Sequence, residues 1–143
     1  MLKKNLFAFM LIALFSNTSL ASAQVIIHPS VEVDRLDAQT LSRIYAMQIK
    51  SWENGESIRV FVFPSRSKLH RSFIISKLKM QPHQLDRLWN RLIFTGTGRA
   101  PTIVKSEAEM LQKIQTTPGA IGYVGENAKV QGVKIVNMGI QDE

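Results

Sequence analysis

Cysteine is absent from the 143 residues, which removes disulfide scaffolds, thiol nucleophiles, thiolate-bound metals and lipid attachment at an N-terminal cysteine. Proline and glycine are sparse, at 5 and 8 residues, while hydrophobic residues reach 45%. Collagen-like, low-complexity and disordered classes are thereby excluded. Acidic residues are also few, 11 against 18 lysines and arginines, for a formal charge of +7. Long hydrophobic runs are missing as well. The longest, Leu6 to Phe15, is about half of the ~20 residues that a transmembrane helix needs.

That run follows Lys3 and Lys4 and precedes Ala21-Ser22-Ala23, whose small residues suit the −3 and −1 positions of a cleavage site. Met1 to Ala23 is therefore expected to be a secretory signal peptide, a retained membrane anchor being the weaker alternative. The boundaries are then 1–23 for the signal and 24–143 for one domain with no membrane span, exported to the periplasm. The remaining 120 residues suffice for one core. Loss of Lys3 and Lys4 lowers the formal charge to +5. A basic chain of this size would otherwise suggest nucleic acid. Export argues against that partner and leaves anionic small molecules, acidic proteins or anionic envelope surfaces.

Hydrophobic periodicity then predicts alternating strands and helices. Val25-Ile26-Ile27 reads as a buried strand. Asp37 caps a short amphipathic helix from Ala38 to about Met47, with Leu41, Ile44 and Tyr45 on one face. Trp52-Glu53-Asn54-Gly55 marks a turn, and Ser57 to Phe63 a central strand stopped by Pro64. A capped helix begins after Ser65-Arg66-Ser67-Lys68 and carries Leu69, Phe73, Ile74 and Leu78. Pro82 opens a second, with Leu85, Leu88, Trp89, Leu92 and Ile93 at i, i+3, i+4, i+7 and i+8. Thr102 to Val104 is a small strand. Ser106 and Glu109 form a capping box for a helix with Ala108, Leu111 and Ile114. Ala120 to Val124 and Val133 to Val136 complete the strands, and Gln141-Asp142-Glu143 is a polar tail. The alternation favours a three-layer α/β domain with a mixed, mostly parallel sheet.

Phe63-Pro64-Ser65-Arg66-Ser67-Lys68 passes from the C-terminal end of a strand into a helix, the edge of an α/β sheet where ligands collect. Unpaired amides and the helix dipole favour an anion there. The candidate anion site is Ser65, Arg66, Ser67, Lys68 and Arg71, with hydroxyl donors from the serines and charge from the rest. The alternative is a plain serine cap with solvated cations. Thr95-Gly96-Thr97-Gly98-Arg99 is a Gly-rich turn without the spacing of a P-loop or a dinucleotide fingerprint, and it reads more simply as a helix C-cap and loop. His83, Arg87 and Arg91 share the outer face of the Pro82 helix, as a docking face for an acidic partner or as a solvated surface. His28, His70 and His83 lack metal-ligand spacing, and neither Ser67 nor His70 sits in a nucleophile elbow. The expectation is no catalytic residue, no metal, no cofactor and no enzymatic activity.

The order of motifs resembles a known family. Leu41-Ser42-Arg43-Ile44-Tyr45, Ser51-Trp52-Glu53-Asn54-Gly55, the strand leading to Ser67 with Phe73 six residues on, and Thr117-Pro118-Gly119-Ala120-Ile121-Gly122-Tyr123-Val124 are together similar to the periplasmic phosphate-binding proteins of ABC transporters. More particularly, the chain resembles a short, single-lobe branch of that family, the phosphate ABC transporter substrate-binding proteins, and the resemblance runs from Val25 to about Val136. The resemblance implies a type II periplasmic-binding-protein-like single lobe, phosphate or a related oxyanion as ligand, and an ABC permease as partner. Ser67 matches the serine of the family's Ser-Gly-Thr phosphate motif. Lys68 and Leu69 stand where Gly and Thr would be, and Phe63 where the family has a ligand arginine, so Arg66 or Arg71 would have to replace that charge. The rival reading is an interaction or sensory module of the envelope that forms a homodimer or docks on an envelope protein through the lobe surface.

Overall fold

The computed structural model describes residues 22–139. The expected signal segment lies outside them but for Ser22 and Ala23, and the polar tail lies outside as well.

Five strands form the main sheet, in the order β4(Thr102–Ile103), β3(Arg59–Val62), β5(Ala120–Gly125), β1(Ala23–Ile27), β6(Lys134–Ile135). β3 runs parallel to β4 and β5, while β1 is antiparallel to β5 and β6. The sheet is mixed, as expected, and its pairings divide evenly between the two senses. β5 at the centre is the most buried strand, consistent with its apolar sequence. A short β2(Arg35–Leu36) pairs in parallel with β7(Asn137–Met138) in a separate two-stranded sheet. Neither of these strands is legible as a strand in the sequence. The expected single strand Val133 to Val136 is replaced by β6 and β7, which belong to different sheets.

Alternation along β5 sorts the helices into two layers. The Gly122 face meets α4(Glu107–Thr116): a Cβ on Gly122 would sit 2.6 Å from Met110 Sδ and 3.0 Å from Ile114 Cδ1, so glycine lets this helix lie close. The Tyr123 face meets α1(Ala38–Tyr45) and α2(Lys68–Ser76). There the Tyr123 ring stacks on Phe73 at 3.8 Å, and Tyr45 packs edge-on against Phe73 at 4.9 Å. α3(Pro82–Phe94) covers α1 and α2 through Leu85 and Trp89, whose Nε1–H donates to the Tyr45 carbonyl at 2.8 Å. Two helical layers thus enclose one sheet, the three-layer arrangement expected.

The helix boundaries follow local chemistry. Asp37 Oδ1 accepts the Thr40 amide at 2.6 Å and starts α1. That helix stops at Tyr45, short of Met47, because Met47 turns into the left-handed region at φ 60° while the Met47 and Gln48 amides bond back to Ile44 and Arg43. Ser106 Oγ accepts the Glu109 amide at 3.1 Å, as a capping box requires, but the Glu109 carboxylate takes the Lys105 amide instead of that of Ser106. Gln81 and Gln84 form a reciprocal box ahead of Pro82.

The two most specific motifs of the sequence meet at one carbonyl. Gly119 adopts φ +77° in the turn before β5, where a Cβ would collide with the Ser57 carbonyl. Its own carbonyl accepts the Trp52 indole N–H at 3.0 Å and the Arg59 amide at 3.1 Å. Trp52 thereby anchors the Trp-x-Asn-Gly turn to the start of both β3 and β5.

Candidate functional site

β3 runs into Phe63, which is buried, and Pro64 ends the strand because it has no amide to offer the ladder. Ser65 and Arg66 form a turn closed by the Ser67 amide on the Pro64 carbonyl at 2.8 Å. Ser67 is the N-cap of α2, in extended backbone at φ −65°, ψ 130°, and its Oγ accepts the His70 amide at 3.3 Å. The cap engages the third amide of the helix. The first two, of Lys68 and Leu69, have no carbonyl partner within it.

The expected residues therefore lie together around one helix N-terminus. Ser67 is half-buried, whereas Ser65, Arg66, Lys68 and Arg71 are exposed. Among the described residues, Arg66, Lys68 and Arg71 take part in no ion pair, the one present being Lys134 with Asp34 at 3.1 Å. Ser65 also lines a groove of about 340 Å³ with Phe63, Trp89, Asn90, Ile103 and Asp86. Free amides, a helix dipole and three cations suit an oxyanion. Phe63, which by the resemblance stands in the sequence where a ligand arginine is expected, packs its ring edge-on against Tyr123 at 5.4 Å.

What holds this turn in place was not apparent from the residue types alone. The Tyr123 hydroxyl accepts the Phe63 amide at 3.1 Å and lies 2.5 Å from His70 Nδ1. The Phe63 amide takes one lone pair of the oxygen, and one proton lies between the hydroxyl and Nδ1, its donor set by the His70 tautomer. Burial pushes the His70 pKa below its ordinary value, with Asp86 opposing in part, and raises that of Tyr123. A neutral hydrogen-bonded pair thus ties the residue after β3, the first turn of α2 and the centre of β5 into one unit. The Tyr in Gly-Tyr-Val and the histidine three residues after Ser67 were the only signals of it.

The other singled-out residues lie elsewhere. His83, Arg87 and Arg91 are exposed along α3, on the side away from Leu85 and Trp89. Gly96 to Arg99 borders a groove beside the first half of β3. Among the described residues, no helix is long and apolar enough to cross a membrane.

One mixed sheet between two helical layers is the architecture of a single lobe of the periplasmic-binding-protein fold. The chain belongs to the PBP superfamily: residues 19–141 match the PBP superfamily domain. No curated protein matches the chain by sequence at a significant level. Among solved structures it is similar to an ABC-type phosphate transport receptor from Vibrio cholerae, at 17% identity and TM-score 0.63 over 80% of this chain and 44% of that one. It is similar also to PstS from Borrelia burgdorferi, at 20% identity and TM-score 0.62 over 82% and 47%. At such identities the likeness is one of fold, and the chain spans less than half the length of either receptor.

Proposed function

We propose that the chain is a secreted, periplasmic solute-binding-protein-like domain, without enzymatic activity, that binds phosphate or a related oxyanion at the N-terminus of α2 and serves phosphate ABC transport through a permease. The observation that carries this reading is the meeting of the Lys68 and Leu69 amides, which have no carbonyl partner within α2, with Arg66, Lys68 and Arg71, none of them in an ion pair among the described residues. The likeness to a phosphate transport receptor supports it. The amides and the Ser65 and Ser67 hydroxyls donate to the oxyanion oxygens, and the three cations balance its charge. With the donors on one lobe, the anion keeps part of its water shell and binding is weak compared with an enclosed site.

Calorimetric titration of the purified protein with phosphate and with sulfate tests the proposal. Binding in the millimolar range is expected, weakened about tenfold by Lys68→Gln, which removes a cation and leaves the cap intact. Ser67→Ala weakens it too, and costs about 1 kcal/mol of stability through the lost cap. Absence of heat with either anion at millimolar concentration refutes the proposal.

A further inference from the structure

The Gly-rich turn after α3 is not an isolated loop. Its residues Gly96 to Pro101 form one wall of a groove of about 570 Å³, whose other walls are the end of α1 with its following loop, through Ile44, Met47 and Lys50, and the first half of β3. That volume is in the range of small-molecule sites. The loop is held by backbone bonds: the Thr97 and Gly98 amides both donate to the Leu92 carbonyl, at 3.0 and 3.1 Å, and Lys50 Nζ donates to the Thr97 carbonyl at 3.3 Å.

The lining has two chemistries. Its half-buried apolar residues are Met47, Ile49, Ile58 and Val60, and the same lining includes the exposed Lys50, Arg59 and Arg99. No carboxylate lines the groove, and among the described residues none of these three cations is in an ion pair. Ala100 and Pro101 line both this groove and the smaller one that Ser65 borders, so the two adjoin, but Arg66, Ser67, Lys68 and Arg71 line neither. Phosphate alone would satisfy the cations and leave the apolar residues bare, and a neutral apolar molecule would do the reverse.

We propose that this groove binds a small organic anion with a compact apolar body, such as an aryl or short-chain alkyl phosphate or carboxylate, its charge held by Arg59 and Arg99 and its body lying on Ile58 and Val60. The site is distinct from the oxyanion site at Ser67, which does not line the groove.

The test is an amide-resolved NMR titration of the purified protein with phenyl phosphate, with phenylacetate, inorganic phosphate and benzyl alcohol run alongside. Saturable shifts at Ile58, Arg59, Gly96 and Gly98 are expected with phenyl phosphate or phenylacetate, in the low-millimolar range of so small a ligand. The relative strength of these two identifies the preferred anion. Inorganic phosphate and benzyl alcohol bind there about tenfold more weakly or not at all, because each meets only one of the two chemistries. Arg59→Gln and Arg99→Gln, both at exposed positions, each weaken the organic anions about tenfold, while Ser67→Ala leaves their affinity unchanged. The proposal is overturned if neither organic anion shifts these amides at about 10 mM, above the expected range. It is equally overturned if benzyl alcohol binds as well as phenyl phosphate, or if both arginine variants, shown folded by circular dichroism, bind the organic anions as the parent does.

Discussion

Replacing Tyr123 with phenylalanine removes a single oxygen and leaves the ring stack on Phe73 in place. That oxygen serves two buried groups, accepting the Phe63 amide at 3.1 Å and hydrogen-bonding with His70 Nδ1. Phe63 and His70 are 5% and 1% exposed, so water cannot take its place at either. Leaving one buried polar group without a partner costs about 1–3 kcal/mol, so the variant loses about 2–5 kcal/mol. For a chain of this size that lowers the melting temperature by about 7–15 °C. Tyr45→Phe is the control. Its hydroxyl is buried equally well, but its bond to the Phe61 carbonyl is long at 3.5 Å, and the loss should be about 1 kcal/mol or less. Urea denaturation of the three proteins gives the comparison, with the slope checked for constancy. A Tyr123→Phe loss below about 0.5 kcal/mol, or one no larger than that of Tyr45→Phe, would show that the hydroxyl does not bind the strand end to α2.

Two further expectations rest on the same core. His70 has a folded-state pKa below its unfolded value of about 6.5, because burial disfavours its charge. The unfolded chain therefore takes up a proton first as pH falls, and the stability present above about pH 6.5 declines below it, by at most about 1.4 kcal/mol per pH unit. Denaturation at pH 7.5 and pH 5.5 should show this decline, and His70→Gln should flatten it; a gain in stability on acidification would contradict the assignment. Gly119→Ala should destabilise by about 3 kcal/mol or more, combining left-handed backbone strain with a collision at the Ser57 carbonyl. Thermal melts give the value, and a change within about 0.5 kcal/mol would mean that the turn relaxes freely.

The elements that were legible in the sequence carry strong local signals. Pro82 with its apolar stripe, Ser67 and Ser106 as caps, Asp37 ahead of α1 and the apolar run of β5 each fix local structure through neighbours within a few residues. β2, β6 and β7 span two residues each, and their pairing depends on partners about a hundred residues apart in β2 and β7, which no periodicity reveals. The expected anion site drew on the same kind of local signal, since Ser65, Arg66, Ser67, Lys68 and Arg71 fall within one short stretch. The groove beside β3 was not legible, because Lys50, Arg59 and Arg99 come together only through tertiary packing. Nor was the Tyr123–His70 pair, which spans 53 residues.

The position of β1 has a kinetic consequence. It lies between β5 and β6, with Ala23 opposite Gly125 and Ile26 opposite Ile135, so the earliest strand of the chain closes the sheet with partners from its far end. Such distant pairings are slow to form, because a long loop must be ordered before any contact rewards it. A nascent chain lacking residues beyond about Gly119 has no central strand on which to seat β1. Until synthesis passes that point β1 stays unpaired, and the middle of the sheet cannot close.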